Sequence, residues 1–390
     1  MHSTLTIVGG GIAGLTAAIT AAETGWTVNL HERSDRLGGQ GWTADGPFKA
    51  NWGPHVIYAD GTWWHWLKER HLTDGATRIP FTGTIKFRLN GSLRRVPPLT
   101  MIGSLRRLRH APPAPVDQTF HQWAHQLVGD DHARAIGAFM GVVTFDHDPG
   151  RLSAAFVHER LLRATPLLPT VRYMPGGWAT LVDRLATHAR TLGVIIATDS
   201  HVDQLPDTPA VLAVPMRVAA QLTGDESLQP NGTRTAILDL GLAAKAKPPF
   251  IVSDFDEPGW IETFSCADPS VAPKRQHLVQ CQKGMRPNET LDEAIARIET
   301  LLDLAAPKWR DSVQWRRRAK LVHASGALDL PGMTWRDRPA VDRGGICVAN
   351  DSVAQPGMLG EVSFNAAVAA VAAITATSGS PANRREPSVP

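Results

Sequence analysis

Apolar residues fill Leu5–Val8 and stop at Gly9. From Gly11 to Thr24 the pattern becomes helical, Ala-rich with Ile12, Leu15 and Ile19 on one side, and Gly25 closes it before a second apolar run at Thr27–Leu30. Strand, glycine turn, helix and strand within about 30 residues is the βαβ unit of a parallel sheet. Farther on, strand-like alternation covers Thr84–Val96, and the Pro- and Arg-rich stretch Pro97–Pro115 predicts a loop or surface segment. Phe120–Val143 and Leu152–Ala164 have helical spacing. Val171–Ile196 repeats the strand–turn–helix–strand pattern around Pro175-Gly176-Gly177. Pro209–Val214 and Gly345–Ala349 are expected as buried strands. Asn288–Leu304 predicts an amphipathic helix, since Leu291, Ile295, Ile298, Leu301 and Leu302 share a face. Phe364–Thr375 is the last expected helix, and Ser378–Pro390, rich in Pro, Ser and Arg, is expected to be a disordered tail.

A chain of 390 residues exceeds the roughly 250–300 at which one hydrophobic core stops growing, so two domains are expected. With 43% hydrophobic and 20% charged residues it reads as globular, and a net charge of +3 without a basic run argues against nucleic acid as a partner. Three cysteines (Cys266, Cys281, Cys347) are too few and too far apart for a metal cluster or a disulfide framework. No metal is therefore expected, and a reducing cytoplasm fits. Met1-His2-Ser3-Thr4 lacks the charged start of a signal peptide, and Ala366–Thr375 is too short and Ala-rich to cross a bilayer.

The chemistry begins at Gly9-Gly10-Gly11-Ile12-Ala13-Gly14, a G-x-G-x-x-G fingerprint at Gly9, Gly11 and Gly14. The first glycine allows the tight turn, the second lets backbone approach a pyrophosphate, and the third permits close helix–strand packing. The helix start offers unpaired N–H groups and partial positive charge to the phosphates, with the Ile12 and Ala13 amides among them. Glu32 ends the second strand, where a carboxylate can accept both ribose hydroxyls and repel a 2′-phosphate. The motif does not separate NAD from FAD.

Further residues carry a resemblance. Gly9–Leu15 is followed by Glu32-Arg33-Ser34-Asp35-Arg36-Leu37-Gly38-Gly39 and by Asn51-Trp52-Gly53-Pro54-His55. Tyr173-Met174-Pro175-Gly176-Gly177 then precedes a helix, Gly193 and Val202. Ala349-Asn350-Asp351, Pro356-Gly357-Met358-Leu359-Gly360 and Ala366-Ala367 close the set. Together these resemble the FAD-dependent amine oxidase, phytoene desaturase and protoporphyrinogen oxidase superfamily. The resemblance implies non-covalent FAD held by Arg33, Arg36, Gly38, Gly39 and Gln40 as well as the glycine turn. It implies Gly53, Pro54 and His55 near the flavin ring, Val202 on the adenine, Asp351 on the ribityl or pyrophosphate, and Met358 and Leu359 at the pyrimidine end. Gln40 stands where the family often has Arg, and Asn51 where it often has Asp. The fold class expected is α/β: a Rossmann-like FAD domain from 1–80, 170–215 and 338–377, with an inserted mixed α+β substrate domain from 81–169 and 216–337.

The function expected is hydride transfer from a substrate C–H to flavin N5, with oxygen or another acceptor taking the electrons and a small-molecule substrate as the partner. A redox-neutral isomerase, mutase or cyclase is the alternative, and a non-catalytic flavin- or partner-binding protein is a third class. His55 could be an acid/base or a packed histidine. Asp146-His147-Asp148 and His158-Glu159-Arg160 read as a solvated face, and Glu361 as a helix cap. Trp42, Trp52, Trp63, Trp64 and Trp66 cluster near the expected flavin, with Trp63 and Trp66 sharing a helical face. Leu93–His110 mixes Arg with apolar residues and could touch a membrane weakly, although Pro97 and Pro98 break any single amphipathic helix. Cys347 is expected to be a buried small hydrophobe.

Overall fold

A computed structural model describes residues 3–53, 55–80, 84–166, 168–207, 209–229, 232–323, 326–340 and 342–378. Strand β1 (Thr4–Val8), helix α1 (Ile12–Glu23) and strand β2 (Thr27–His31) form the first βαβ unit. β1 pairs in parallel with β2 and with Ala210–Leu212. Ile195–Ala197 extends the sheet beyond β2, and Ile346–Val348 extends it beyond Ala210–Leu212. A short antiparallel strand, Asp342–Arg343, forms the far edge. Five strands thus point the same way, and the segments that follow them emerge at one carboxyl edge.

Buried on both faces, such a sheet needs helices above and below. α1 packs against Trp178–Thr191 and Gly360–Ser378. The latter helix is long and apolar enough to cross a membrane, more than the Ala366–Thr375 stretch suggests. Here it is a core element, with Phe364, Ala366, Ala367, Ala370, Val371 and Ile374 buried in the first core.

The second sheet has seven strands in the order Val313–Val322, Arg234–Ala243, Gln276–Gly284, Trp260–Thr263, Ile251–Asp254, Ile85–Leu89 and Ser92–Arg94. Period-two alternation divides its faces. Leu238, Leu240, Leu242, Val279 and Cys281 pack under the helix Leu291–Ala305. On the other face the register aligns Arg317, Asp239, Gln280 and Glu262 across four strands. A helical layer of Leu99–Arg109, Phe120–Val128, Asp130–Phe139 and Ala154–Ala164 holds a further core.

Four sequence expectations are corrected. Pro97–Pro115 contains the helix Leu99–Arg109, with Pro98 as the residue before it, a position where a fixed φ costs nothing. Phe120–Val143 is three helices, broken at Gly129, whose φ of 80° no helix continues through, and at Met140. The last helix begins at Gly360 instead of Phe364. The first core runs past the expected boundary at 215, because Met216, Ala219 and Leu228 are buried in it. Residues 379–390 of the expected tail lie outside the described residues.

Candidate cofactor and substrate site

At the end of β1 the chain turns at Gly9, whose φ is 103° and whose amide donates to the His31 carbonyl at 2.8 Å. A Cβ on Gly9 would meet the Ala213 carbonyl oxygen at 2.3 Å, and one on Gly14 would meet the Gly9 oxygen at 1.8 Å. These two glycines are required by the protein's own packing. Gly11 is different: its backbone is extended, and a Cβ there would find its nearest neighbour, the Gly38 oxygen, at 3.7 Å. No side chain caps the α1 amino end that Ile12 and Ala13 open.

Glu32 stands beside this turn, half-buried. Its carboxylate accepts from the Gly10 amide at 2.7 Å and the Ser34 amide at 2.9 Å. The Ser200 amide donates to the Glu32 carbonyl at 2.9 Å, and the Ser200 hydroxyl lies 2.8 Å from His31 Nδ1. Val202 therefore follows directly from the segment clamped against Glu32. The Gly38 amide donates to the Gly10 carbonyl at 2.9 Å, which lays Gly38 and Gly39 alongside Gly11. Arg33 is exposed, and Arg36 turns toward Trp42, 4.5 Å from the ring centre, and Asp45.

The carboxy-terminal segment reaches the same edge. Asn350 Nδ2 donates to the Val214 carbonyl at 3.0 Å, and Asp351 beside it accepts from the Ser352 hydroxyl at 3.1 Å with the side chain of Gln40 nearby. Burial pushes the Asp351 carboxyl up, against the hydrogen bond from Ser352 and the polar groups of Gly326 and Gln40 nearby. Met358 is buried, and Leu359, with a φ of 57°, turns the chain into Gly360–Ser378. Glu361 caps that start by accepting from the Met358 amide at 3.2 Å, and it also forms a two-point ion pair with Arg163 of the helical layer. Gly61 makes room for it, since a Cβ there would fall 1.5 Å from Glu361 Oε1.

Between the glycine turn and the second sheet lies the segment 42–56. Asn51 is buried. Its Oδ1 accepts from Thr43 Oγ1 and from the Trp178 amide, both at 2.9 Å, and Thr43 accepts from the Ala179 amide at the same distance. The segment thereby caps Trp178–Thr191, so the amide at position 51 has a structural task of its own. Arg317 reaches up from the second sheet to the Asn51 carbonyl, pairs with buried Asp239 at 2.6 Å, and sits among Trp42, Trp52 and Trp315. Burial raises Asp239 to about 6 despite that arginine. Gly53 faces Ile237 and Leu321, and Pro54 lies outside the described residues.

His55 stacks on Trp178 with ring centres 4.4 Å apart, and its Nε2 lies 2.8 Å from the Gln40 carbonyl. A carbonyl only accepts, so Nε2 carries the proton. Burial pushes the ring pKa down to about 4, opposed by this hydrogen bond and aided by Arg317, so the imidazole is neutral in ordinary buffer with Nδ1 as its lone pair.

Other residues singled out from sequence fall elsewhere. Asp146, His158 and Arg160 are buried, not solvated: Asp146 is paired with Arg151 at 2.6 Å, and His158 Nε2 bonds to the Leu108 carbonyl at 2.9 Å. Trp63 is buried against Trp178, while Trp64 and Trp66 pack on the rim of the first core. Cys347 is buried. Arg317 and Arg163 carried no sequence signal, as their partners lie 78 and 198 residues away.

Residues 7–70 match the family model described as NAD(P)-binding Rossmann-like domain. A Klebsiella pneumoniae protein named "Probable UDP-galactopyranose mutase" is 28% identical over 101 residues, a match covering 25% of this chain and 25% of that protein. An oxidoreductase from Methanosarcina mazei superposes with a TM-score of 0.75 at 15% identity, covering 95% of this chain and 99% of the other. Cyclohexylamine oxidase from Brevibacterium oxydans superposes with a TM-score of 0.74 at 17% identity, covering 97% and 99%. Residues 7–70 thus resemble an NAD(P)-binding Rossmann-like domain, and over nearly its whole length the chain shares the fold of the Methanosarcina mazei oxidoreductase and of cyclohexylamine oxidase.

Proposed function

We propose that this protein is an FAD-dependent oxidoreductase that takes a hydride from a carbon of a small or apolar metabolite. What carries the reading is the meeting, at one edge of the parallel sheet, of an uncapped helix start and the Glu32 carboxylate that accepts from the Gly10 amide. These residues fit a dinucleotide. Nothing within the protein demands glycine at position 11, whereas a diphosphate laid on the helix start does. Glu32 accepts two amide bonds and has lone pairs left for ribose hydroxyls. The resemblance of the 349–360 segment to the closing motif of the flavin superfamily supports the flavin over a nicotinamide.

Bound FAD supplies the two-electron acceptor: a substrate C–H gives up a hydride, the neighbouring atom loses a proton to form a double bond or imine, and oxygen or another acceptor takes the electrons onward. The chain's own work is placement. His55 is held by the Gln40 carbonyl through Nε2 and offers Nδ1 as a neutral proton acceptor. Arg317 fixes the Asn51 carbonyl, and Trp42 and Trp52 pack edge to face beside its guanidinium. The test is the visible spectrum of the purified protein, then anaerobic mixing with candidate metabolites. Flavin bands that bleach on mixing are expected. A protein that stays colourless after incubation with FAD contradicts the reading, and a product of unchanged mass without bleaching would assign it to redox-neutral chemistry.

A further inference from the structure

His121 and His125 stand one turn apart on the helix Phe120–Val128, a spacing that puts both rings on one face. Asp130 opens the next helix, Asp130–Phe139, after the chain turns at Gly129, whose φ is 80°. That turn brings a single carboxylate oxygen to both rings. Asp130 Oδ1 lies 3.1 Å from His121 Nε2 and 3.6 Å from His125 Nδ1, and the three donor atoms all fall within 4.8 Å of one another. Ligand atoms about 2.0–2.1 Å from a tetrahedral zinc ion stand about 3.3 Å apart. The two spacings to Oδ1 bracket that value, and a small turn of the exposed His125 ring closes the third.

The other carboxylate oxygen is already engaged. Arg134, one turn further along, donates to Asp130 Oδ2 through Nε at 2.7 Å and Nη2 at 2.6 Å. This leaves Oδ1 turned to the histidines, as an outer partner does when it orients a metal ligand. Without an ion, two imidazoles compete for one oxygen of a carboxylate that the arginine already satisfies. Beside them, His121 and Arg134 line a hollow of about 370 Å³ together with Thr119, His147 and Asp148. An ion held by the three residues therefore has room to complete its shell with water. None of these residues belongs to the candidate nucleotide site. The cysteine count spoke against thiolate clusters, whereas this set is two imidazoles and a carboxylate within ten residues of sequence.

We propose that His121, His125 and Asp130 form a binding site for a divalent metal ion of the zinc type, which clamps the two helices across the Gly129 turn. His121 gives the lone pair of Nε2, His125 that of Nδ1, and Asp130 that of Oδ1. Two nitrogens and one oxygen suit zinc, whereas magnesium and calcium take oxygen shells.

The probe is zinc ion, titrated calorimetrically into the full-length protein after chelator treatment, with magnesium as the comparison. One zinc per chain is expected to bind at least about a hundredfold more tightly than magnesium. His121→Ala and His125→Ala should each weaken it at least about thirtyfold and Asp130→Asn at least about fivefold, while the exposed control His65→Ala leaves it unchanged. Zinc should raise the melting temperature of wild type and not that of His121→Ala. In chelator the variants should melt with wild type, since all three positions are partly exposed. A measurement free of substitutions stands beside these. Among the 15 histidines, zinc should protect His121 and His125 from acylation by diethyl pyrocarbonate, read by peptide mass mapping. Zinc that binds no more tightly than magnesium, that binds His121→Ala and wild type alike, or that leaves both histidines open to acylation overturns the proposal.

Discussion

Gly11 and Gly14 separate two reasons for a glycine. At Gly14 a methyl group would overlap the Gly9 carbonyl, so Gly14→Ala must push helix and turn apart, a strain on the order of 3 kcal/mol. At Gly11 the methyl has room and the backbone is one any residue adopts, so Gly11→Ala should cost about 1 kcal/mol or less in stability. Its cost should appear as at least about a tenfold loss of FAD affinity, because the methyl occupies the diphosphate's approach. Denaturant melts and flavin titration of the two variants check this, and equal nucleotide affinity in wild type and Gly11→Ala would refute it. The motif's spacing made both glycines visible in sequence. It did not say which one answers to the fold and which to a ligand, as that depends on the Gly9 carbonyl that sits against Gly14 and leaves Gly11 open.

Among the elements, the second sheet carries a row of polar side chains where a sandwich face would ordinarily be apolar. Gln280 Nε2 donates to Asp239 at 2.9 Å, and Glu262, on the next strand, accepts from the Tyr173 hydroxyl at 2.5 Å. Burial pushes Glu262 from 4.5 up to about 7, against the Tyr173 hydrogen bond. The folded chain then holds a proton that the unfolded chain has released between pH 4.5 and about 7. The stability linked to this carboxyl is full below that window and is lost as pH rises through it. Glu262→Gln should flatten the dependence and make the protein more stable than wild type in mildly alkaline buffer, by on the order of 3 kcal/mol. Urea melts on both sides of the window measure it, and an undiminished pH dependence in the variant would point to another group. Alternation made the strands readable from sequence, but the register that aligns Arg317, Asp239, Gln280 and Glu262 spans strands up to 78 residues apart and left no local trace.

For the whole molecule, the candidate nucleotide site draws on residues 9–40, 199–214 and 350–360, three stretches brought together only by folding. A ligand that touches all three binds the folded state alone. Saturating FAD should therefore raise stability by about 4 kcal/mol when present at a thousand times its dissociation constant. The melting temperature should climb with FAD concentration, and Glu32→Ala should abolish most of that rise. No change in melting temperature with added FAD would mean that the three segments do not form one ligand site. The same scale explains the misjudged surface. His158 and Arg160 read as solvated because their own helix is mixed in character, yet Leu99–Arg109, Phe120–Val128 and the closing segment pack over them.

By itself the sequence determined the βαβ unit, its glycine turn, the acidic partner at Glu32 and the parallel class of the first sheet, since each follows from spacing within some 30 residues. Tertiary structure alone decided the rest. It brought Gln40 near Asp351, tied Arg317 to the Asn51 carbonyl, neutralised His55, and buried Arg160 against the Phe156 ring. The reason is physical: local pattern sets which face of an element is apolar, whereas charge state and pairing depend on what the opposite wall supplies, and here that wall comes from distant parts of the chain.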